Sequence, residues 1–255
     1  MKNKQCNFLK KKRYFDYPKE KIKFFKQGEM PLLGENKEFL LNKNGKIQFA
    51  SDGNGSIYRS MKESGILKDM QNKGIEWVYI CSVDNILLKM VEPILLGLTI
   101  EQGNQIASKT IIKNSPQEKV GIFCRKNGRP SVIEYTELPT DMAELTNEKQ
   151  ELVFGEAHIM CNLFSIKAIQ KIAEVTLPYH VAHKKINHYI DGKEIIPQEP
   201  NAYKFEQFIF DSFPIFEGIT LLRGKREDNF APIKNKEGKD SPETAIELYN
   251  RALRV

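Results

Sequence analysis

The sequence predicts an α/β protein with a mixed sheet that is parallel at its centre, and three observations carry that expectation. Strand-like and helix-like segments alternate through the first hundred residues, and short strands follow them. The run Trp77-Val78-Tyr79-Ile80-Cys81-Ser82-Val83 is continuous and apolar with β-branched members, the pattern of a strand buried on both faces, and it leads into Asp84-Asn85. A glycine-punctuated loop, Ala50-Ser51-Asp52-Gly53-Asn54-Gly55-Ser56, runs directly into a helical pattern. Glycines let a ligand approach the backbone closely, and the first turn of a helix offers unpaired N–H groups to an anion. An aspartate at the carboxyl end of a strand stands where open α/β sheets bind their ligands. Together these features point to a nucleotide or phosphorylated ligand.

Taken in order, residues 3–13 read as a helix that is interrupted by Asp16-Tyr17-Pro18. Ile22-Lys23-Phe24-Phe25 reads as a short strand broken by Gln27-Gly28-Glu29-Met30-Pro31. Glu38–Leu41 and Ile47–Ala50 form a strand pair around Asn44-Gly45, the dipeptide of a hairpin turn. Ser56–Lys73 has helical spacing through Ile57, Met61, Ile66, Leu67 and Met70, and Gly74 ends it. Trp77–Val83 is expected to be a buried parallel strand. A helix-containing segment from Ile86 to Gln102 closes at Gly103. Ala107–Ile112, Gly121–Arg125 and Ser131–Tyr135 are three further strands, the last two joined by Asn127-Gly128. Glu137–Glu151 is polar and acidic, a surface helix or loop. Gly155–Ile159 leads into a helix with Ser165 as its N-cap. Tyr203–Phe213 is rich in aromatic residues, expected to pack one face of a helix that Pro214 ends. Leu221–Arg223 is a late strand, Arg226–Lys239 a charged loop, and Ser241-Pro242-Glu243 opens the last helix. The expected organisation is one catalytic-type domain over residues 1–255, with 215–255 as a small C-terminal element packed on it.

Composition excludes several classes. At 255 residues with 40% hydrophobic and 10% aromatic side chains, the chain is globular rather than disordered. It carries no run of eighteen apolar residues, so no membrane partner is expected. The four cysteines are widely spaced with no CxxC pair, which reads as a reduced, cytoplasmic protein with structural thiols. Residues 1–26 hold ten basic and two acidic side chains, so this segment carries +8 while the other 229 residues sum to −2. No zinc-finger spacing or RNA-binding aromatic motif accompanies the basic segment. A solvated lysine-rich face is therefore favoured over a basic nucleic-acid-binding module, and no nucleic-acid partner is expected.

Longer stretches carry a resemblance. Gln27–Pro31, Asp52–Tyr58 and Val83–Asn85 are followed by Val120-Gly121, Val132–Glu137 and Leu177–Lys185, then by Lys204–Asp211 and Arg226–Asn235. In this unbroken order from about residue 7 onward, they resemble the UDP-sugar pyrophosphorylases of the UDP-N-acetylglucosamine (UDP-N-acetylhexosamine) type. The resemblance implies a nucleotide-diphospho-sugar transferase sheet, Rossmann-like and GT-A-like. It implies a uridylyltransferase joining UTP and a hexose 1-phosphate, foremost N-acetylglucosamine 1-phosphate, to UDP-sugar and pyrophosphate with Mg²⁺. By the same resemblance Gln27 and Gly53 hold the uracil, and Asn54 reaches the sugar. Asp84 binds the magnesium. Gly121 and Glu134 line the hexose pocket, Lys204 and Lys234 meet the phosphates, and Phe208 or Phe210 packs on the sugar or its acyl group. Each residue has a plainer reading on pattern alone: Asp84 as a turn former, Lys204 and Lys234 as solvated lysines, Glu134 as the outer side of a strand.

Two departures stand out. The family's Gly-Gly-x-Gly-Thr-Arg-Leu-Gly loop, which wraps the UTP phosphates, has no counterpart before Gln27. The expectation is therefore a fragment lacking the first βαβ unit, completed by the missing N-terminal segment or by a second copy. Alone it would be weakly active or inactive, a UDP-sugar-binding piece. Where the family often has Asn-Ala-Gly-Asn-Ile, this chain has Gly155-Glu156-Ala157-His158-Ile159, so His158 stands where an asparagine contacts the sugar.

Overall fold

A computed structural model describes residues 2–252, with side chains from residue 4 onward. Of the basic segment, the side chain of Lys2 thus lies outside the described residues. Contacts cluster into two compact units, Met1–Gly74 with Ile172–Ile209, and Ile75–Lys171 with Phe210–Val255. Residues 215–255, expected as a small appended element, fall wholly within the second.

Along the chain, the first unit begins with α1 (Lys2–Lys11), β1 (Glu29–Pro31), β2 (Leu33–Gly34), β3 (Phe49–Ser51), α2 (Ile57–Glu63) and α3 (Ile66–Asn72). There follow β4 (Trp77–Cys81), α4 (Pro93–Glu101), β5 (Ile106–Ile112), β6 (Ile122–Lys126), β7 (Arg129–Ile133), α5 (Thr140–Ala143), β8 (Glu156–Ser165) and α6 (Ile166–Ala173). The first unit resumes with β9 (His180–Lys184), β10 (His188–Ile190), β11 (Lys193–Ile195) and β12 (Ala202–Glu206). The second closes with β13 (Thr220–Arg223), α7 (Arg226–Asn229) and α8 (Pro242–Ala252).

In the first unit β1 pairs antiparallel with β3, and β12 lies between β2 and β9, also antiparallel. Leu32, Leu40 and Ala202 are its small buried cluster. The hairpin at Asn44-Gly45 forms as expected, with Gly45 N donating to Asn42 O and Gly45 at φ 69°. Between its arms, however, the described residues make only the isolated bridge Leu41–Ile47; the first arm also bridges Leu33 through Phe39, and the second runs into β3. The expected strand at Ile22–Phe25 is absent, since that run finds no ladder partner among the described residues. The expected helix Ser56–Lys73 is two helices, because Gly65 at φ 76° turns the chain between α2 and α3. Gly74, at φ 68°, ends the second as anticipated.

In the second unit the sheet is mixed, ordered β13-β5-β8-β6-β7, with β4 also on β8. Here the expectation of a parallel centre is corrected. β8 runs antiparallel to β4, β5 and β6, and among the described residues the one parallel pairing is β13 with β5. Trp77–Cys81 is an antiparallel partner of β8. Apolar continuity reports burial, which a central strand shares whichever way its neighbours run.

β8 itself was not expected as a strand, yet it is the longest in the chain and organises both layers of core. Its odd-numbered residues Ala157, Ile159 and Cys161 pack with Ile111, Val120 and Phe230, and Leu163 packs with Leu95 and Ala107. Its other face meets aromatic rings, Phe164 lying 6.3 Å from Phe213. Between the pairs Ser108–Asn162 and Thr110–His158, β8 spends four residues against two of β5, with Met160 at φ 52°. The excess is even, so His158 and Asn162 stay on one face.

The Asn127-Gly128 hairpin is present, with positive φ at both central residues, 52° and 78°, as a type I′ turn requires. Ser165 caps α6, its Oγ accepting from Ala168 N at 3.0 Å. Tyr203–Phe213, expected as a helix ended by Pro214, is instead β12 followed by a 3₁₀ turn, Ile209–Ile215, that contains Pro214.

Candidate active site

The residues expected from the sequence fall in both units, and each unit's own backbone positions those it holds. In the first unit the glycine loop is fastened from within. Gln27 Nε2 donates to Ser51 Oγ at 2.7 Å and to the Gly53 carbonyl oxygen. Gln27 and Gly53, the pair expected to hold a uracil, are thus in contact. Gly53 sits at φ 90°, and a Cβ there would lie 2.2 Å from the backbone oxygen of Gln207. No other residue fits. Asp52, buried, accepts from Ser56 Oγ at 2.6 Å, and Gly55 N donates to Gln207 O at 2.8 Å. That N–H is therefore engaged within the fold rather than offered to an anion.

Gln207 is the hub the sequence did not single out. Its backbone N donates to Asp52 O at 2.8 Å, and its buried side chain donates to Leu177 O at 2.6 Å. Asn54, exposed, accepts from Ile209 N at 2.8 Å, which ties the loop to the end of this segment. Lys204, a quarter exposed, is ion-paired with Glu206 at 2.7 Å on its own strand. Phe208 lies against His180, with ring centroids 4.7 Å apart.

In the second unit Asp84 follows the end of β4 and accepts from Ser82 Oγ. Its carbonyl oxygen accepts from Ile233 N at 2.9 Å, Asn85 bridges to Pro232, and Ile86 N donates to Ala231 O at 3.2 Å. A two-stranded contact thereby sets Asp84 beside the segment that carries Lys234. The buried Asn85 side chain pins it, donating to Asn229 O at 2.8 Å and accepting from Ala231 N at 2.9 Å. Lys234 itself is exposed, its Nζ 5.8 Å from the centre of the Phe230 ring. Phe230 is also covered by Arg226, which is ion-paired with the buried Glu118.

Gly121 and Glu134, expected to line a hexose pocket, are neighbours. A Cβ on Gly121 would meet Val132 Cγ1 at 2.8 Å and Glu134 Oε1 at 3.6 Å. Glu134, just past β7, is partly exposed, and its carbonyl accepts from Glu137 N at 2.9 Å. His158 N donates to Gly121 O at 2.9 Å, so the main chain of β8 holds Gly121 in place. Its ring lies in the core, 7% exposed, among Phe123, Phe210 and Phe213 at centroid distances of 5.3 to 5.8 Å. Its Nε2 is 3.0 Å from Asn162 Oδ1. Four residues of regular strand would separate the two by about 13 Å, and the β8 bulge is what closes that gap. Burial pushes the imidazole pKa down to about 4, against a weaker upward pull from Asn162. At neutral pH this is an uncharged core histidine. Phe210, 5% exposed, packs beside it.

No group of three or more His, Cys, Asp or Glu side chains is placed to hold a metal ion among the described residues. No helix of the described residues is long and apolar enough to cross a membrane.

The first unit thus holds a fastened glycine loop, and the second a carboxylate beside a lysine-bearing segment. The chain matches the family described as UTP–glucose-1-phosphate uridylyltransferase over residues 2–239. It belongs to that family. It is 34% identical over 93% of its length to the UDP-N-acetylhexosamine pyrophosphorylase-like protein 1 of Xenopus tropicalis, covering 48% of that protein. It is 35% identical over 95% of its length to the UDP-N-acetylglucosamine pyrophosphorylase of Saccharomyces cerevisiae, covering 53% of it. A crystal structure described as a UDP-N-acetylglucosamine pyrophosphorylase from Entamoeba histolytica superposes with a TM-score of 0.89. Identity there is 33%, over 98% of this chain and 63% of that one. The chain spans about half the length of the curated relatives it matches.

Proposed function

We propose that the protein to which this chain belongs is a uridylyltransferase that joins UTP and N-acetylglucosamine 1-phosphate to UDP-N-acetylglucosamine and pyrophosphate, in the cytoplasm. The observation that carries this reading is the ladder from Asp84 and Asn85 to Ala231–Ile233, which brings a carboxylate and a lysine segment together inside the family's frame. A phosphate oxygen of the sugar phosphate attacks the α-phosphorus of UTP, and pyrophosphate leaves in line. No covalent nucleophile is needed, so the protein's work is positioning and neutralisation of phosphoryl charge.

In this reading Gln27 and the Gly53 backbone hold the uracil edge, which alternates donors and acceptors. Asn54 turns its amide to the sugar. Glu134, beside Gly121, accepts from hexose hydroxyls, and Phe208 packs against the sugar or its acyl group. Phe210 and His158 support that pocket from the core. Lys234 meets the phosphates, and Lys204 exchanges Glu206 for a phosphate oxygen. Asp84 fits a magnesium ion that arrives on the substrate: Mg²⁺ keeps several waters and needs only one or two carboxylates besides phosphate oxygens. Bound there, the ion would neutralise charge on the phosphates. The sheet is read as the GT-A-like sheet of nucleotide-diphospho-sugar transferases. A glycine-rich phosphate loop is contributed by a further segment or a second copy.

The test is pyrophosphate release from UTP, Mg²⁺ and a panel of sugar 1-phosphates. Release is expected foremost with N-acetylglucosamine 1-phosphate. Asp84→Ala and Lys234→Ala should each lower it by about 10²-fold or more, the scale on which positioned charges act. Undiminished release in either variant removes that residue from the site. Binding of UDP-sugar without release would leave a ligand-binding piece of such an enzyme.

A further inference from the structure

Two of the four cysteines meet across the sheet of the second unit, and the proposed reaction uses neither. Cys81 ends β4 and pairs in register with Cys161 of β8. Ser82 N donates to Met160 O at 3.0 Å, the bond that flanks a non-hydrogen-bonded antiparallel pair. Such pairs hold their Cα atoms about 4.5 Å apart, and a disulfide accepts about 4.4 to 6.8 Å. The two sulfurs are already 3.9 Å apart and share a hydrogen bond.

The thiols are unequal. Cys161 is 1% exposed, while Cys81 is partly exposed. The hydrogen bond shared with Cys161, helped by the Asn162 N–H, holds the Cys81 thiol below its ordinary range. The same bond, with burial, holds Cys161 above it. Cys81 is therefore the thiol that exchanges first, and Cys161 the one that resolves. Their position matters as well. Cys81 lies three residues before Asp84 along the chain, and Cys161 lines one recess with Asn85 and Asn229, whose bond holds the Asp84 segment to the Lys234 segment.

We propose that Cys81 and Cys161 form a reversible disulfide by exchange with a low-molecular-weight disulfide, and that closing it alters the Asp84–Asn85 strand end. The Cys81 thiolate attacks one sulfur of the small disulfide and releases one small thiolate, leaving a mixed disulfide on Cys81. Cys161, losing its proton, attacks the Cys81 sulfur, forms the cross-strand bond and releases the second thiolate. The two small thiolates take up the two protons. Two protein thiols are oxidised, and one small disulfide is reduced to two thiols. Cys81 is partly exposed, and an exposed disulfide is of the labile kind rather than the structural kind. The consequence for turnover rests on the functional reading above; the disulfide itself does not.

The protein is equilibrated with glutathione at falling ratios of reduced to oxidised form, alkylated, digested without reduction and weighed. The expected result is one cross-link joining the Cys81 and Cys161 peptides, two hydrogens lighter than the separate thiols and reversed by dithiothreitol, with Cys6 and Cys124 alkylated. Cys161→Ala should instead retain a glutathione adduct on Cys81. Separate alkylation of Cys81 and Cys161 in the wild-type protein across the whole series overturns the proposal, whatever the variant does. Amide exchange of residues 82–86 and 229–234 is then compared in the oxidised and reduced forms, without substrate. A severalfold change in rate is expected there, and equal rates overturn the link to the strand end. A protein that turns over no UTP still answers both questions.

Discussion

A neutral imidazole sealed among three phenylalanines makes stability depend on pH. Burial depresses the folded-state pKa of His158 from 6.5 to about 4. The unfolded chain therefore takes up a proton that the folded chain refuses. This contribution is complete above pH 6.5 and lost as pH falls towards 4, with a slope approaching 1.4 kcal/mol per pH unit. Denaturant unfolding at neutral pH and near pH 5 should show wild type losing about 2 kcal/mol more than His158→Gln. Parallel losses in the two proteins would mean that the ring titrates normally and is not sealed. Asn85 makes the second argument at this scale. Its side chain both donates to Asn229 and accepts from Ala231, so Asn85→Ala leaves buried partners unsatisfied and should cost roughly 2–4 kcal/mol. Asn85→Asp keeps the acceptor and loses the donor. If Asn85 acts by holding Asp84 to the Lys234 segment, Asn85→Asp should lower kcat while leaving KM for the sugar phosphate nearly unchanged. Equal changes in both would show a pocket effect instead.

The elements show which local signals are read without knowledge of the whole. Gly103 at φ 66° closes α4, Asn127-Gly128 turns with both φ positive, and Ser165 caps α6, because each is decided within a few residues. Ser165→Ala should therefore cost about 1 kcal/mol in a denaturation experiment, and no loss would mean that the cap is idle. β8 is the contrary case. Its residues Glu156–Ser165 mix acid, histidine and asparagine with apolar side chains, and only the neighbouring strands show why. Asn162 and His158 satisfy one another across a bulge that no period-2 pattern announces. Strand direction was hidden for a related reason, since an apolar run records that both faces are covered and says nothing of which way the partners run. In the candidate site, Gln27 touches Gly53 and Gly121 lies beside Glu134, contacts between residues close enough in a loop or hairpin to be grouped from sequence. The Asp84–Lys234 adjacency and the Gln207 hub come from backbone pairing between distant segments, which a linear pattern cannot encode.

At the scale of the whole molecule, charge is the property that separates the competing functions. The segment 1–26 carries +8 and the remainder −2. The described side chains of α1 are largely exposed, and the segment's ion pairs among the described residues are exposed ones, local for Arg13 and Lys26 and reaching α3 only through Lys23 and Asp69 at 2.5 Å. Exposed pairs contribute little and are screened by salt, so this segment is held in place weakly by its own charges. It will attract any polyanion at low ionic strength. The question is whether that attraction serves the reaction. A protein that binds nucleic acid through this segment would need it for function. A nucleotidyltransferase would recognise UTP by the Gln27–Gly53 contact and by Lys204 and Lys234, and would lose nothing essential without the surface charge. Replacing Lys10, Lys11, Lys12 and Arg13 together by glutamine should therefore abolish any low-salt retention on DNA, a retention that in the wild type is expected to fall steeply with added salt. UTP binding, followed by calorimetry, should stay within about twofold of wild type, because screened charges outside the pocket change affinity by well under 1 kcal/mol. A tenfold loss of UTP affinity in the quadruple variant would place the basic segment in the nucleotide site. Loss of DNA retention with unchanged UTP affinity would leave the lysines as a solvated face and the nucleotide chemistry with the two glycine- and aspartate-bearing loops.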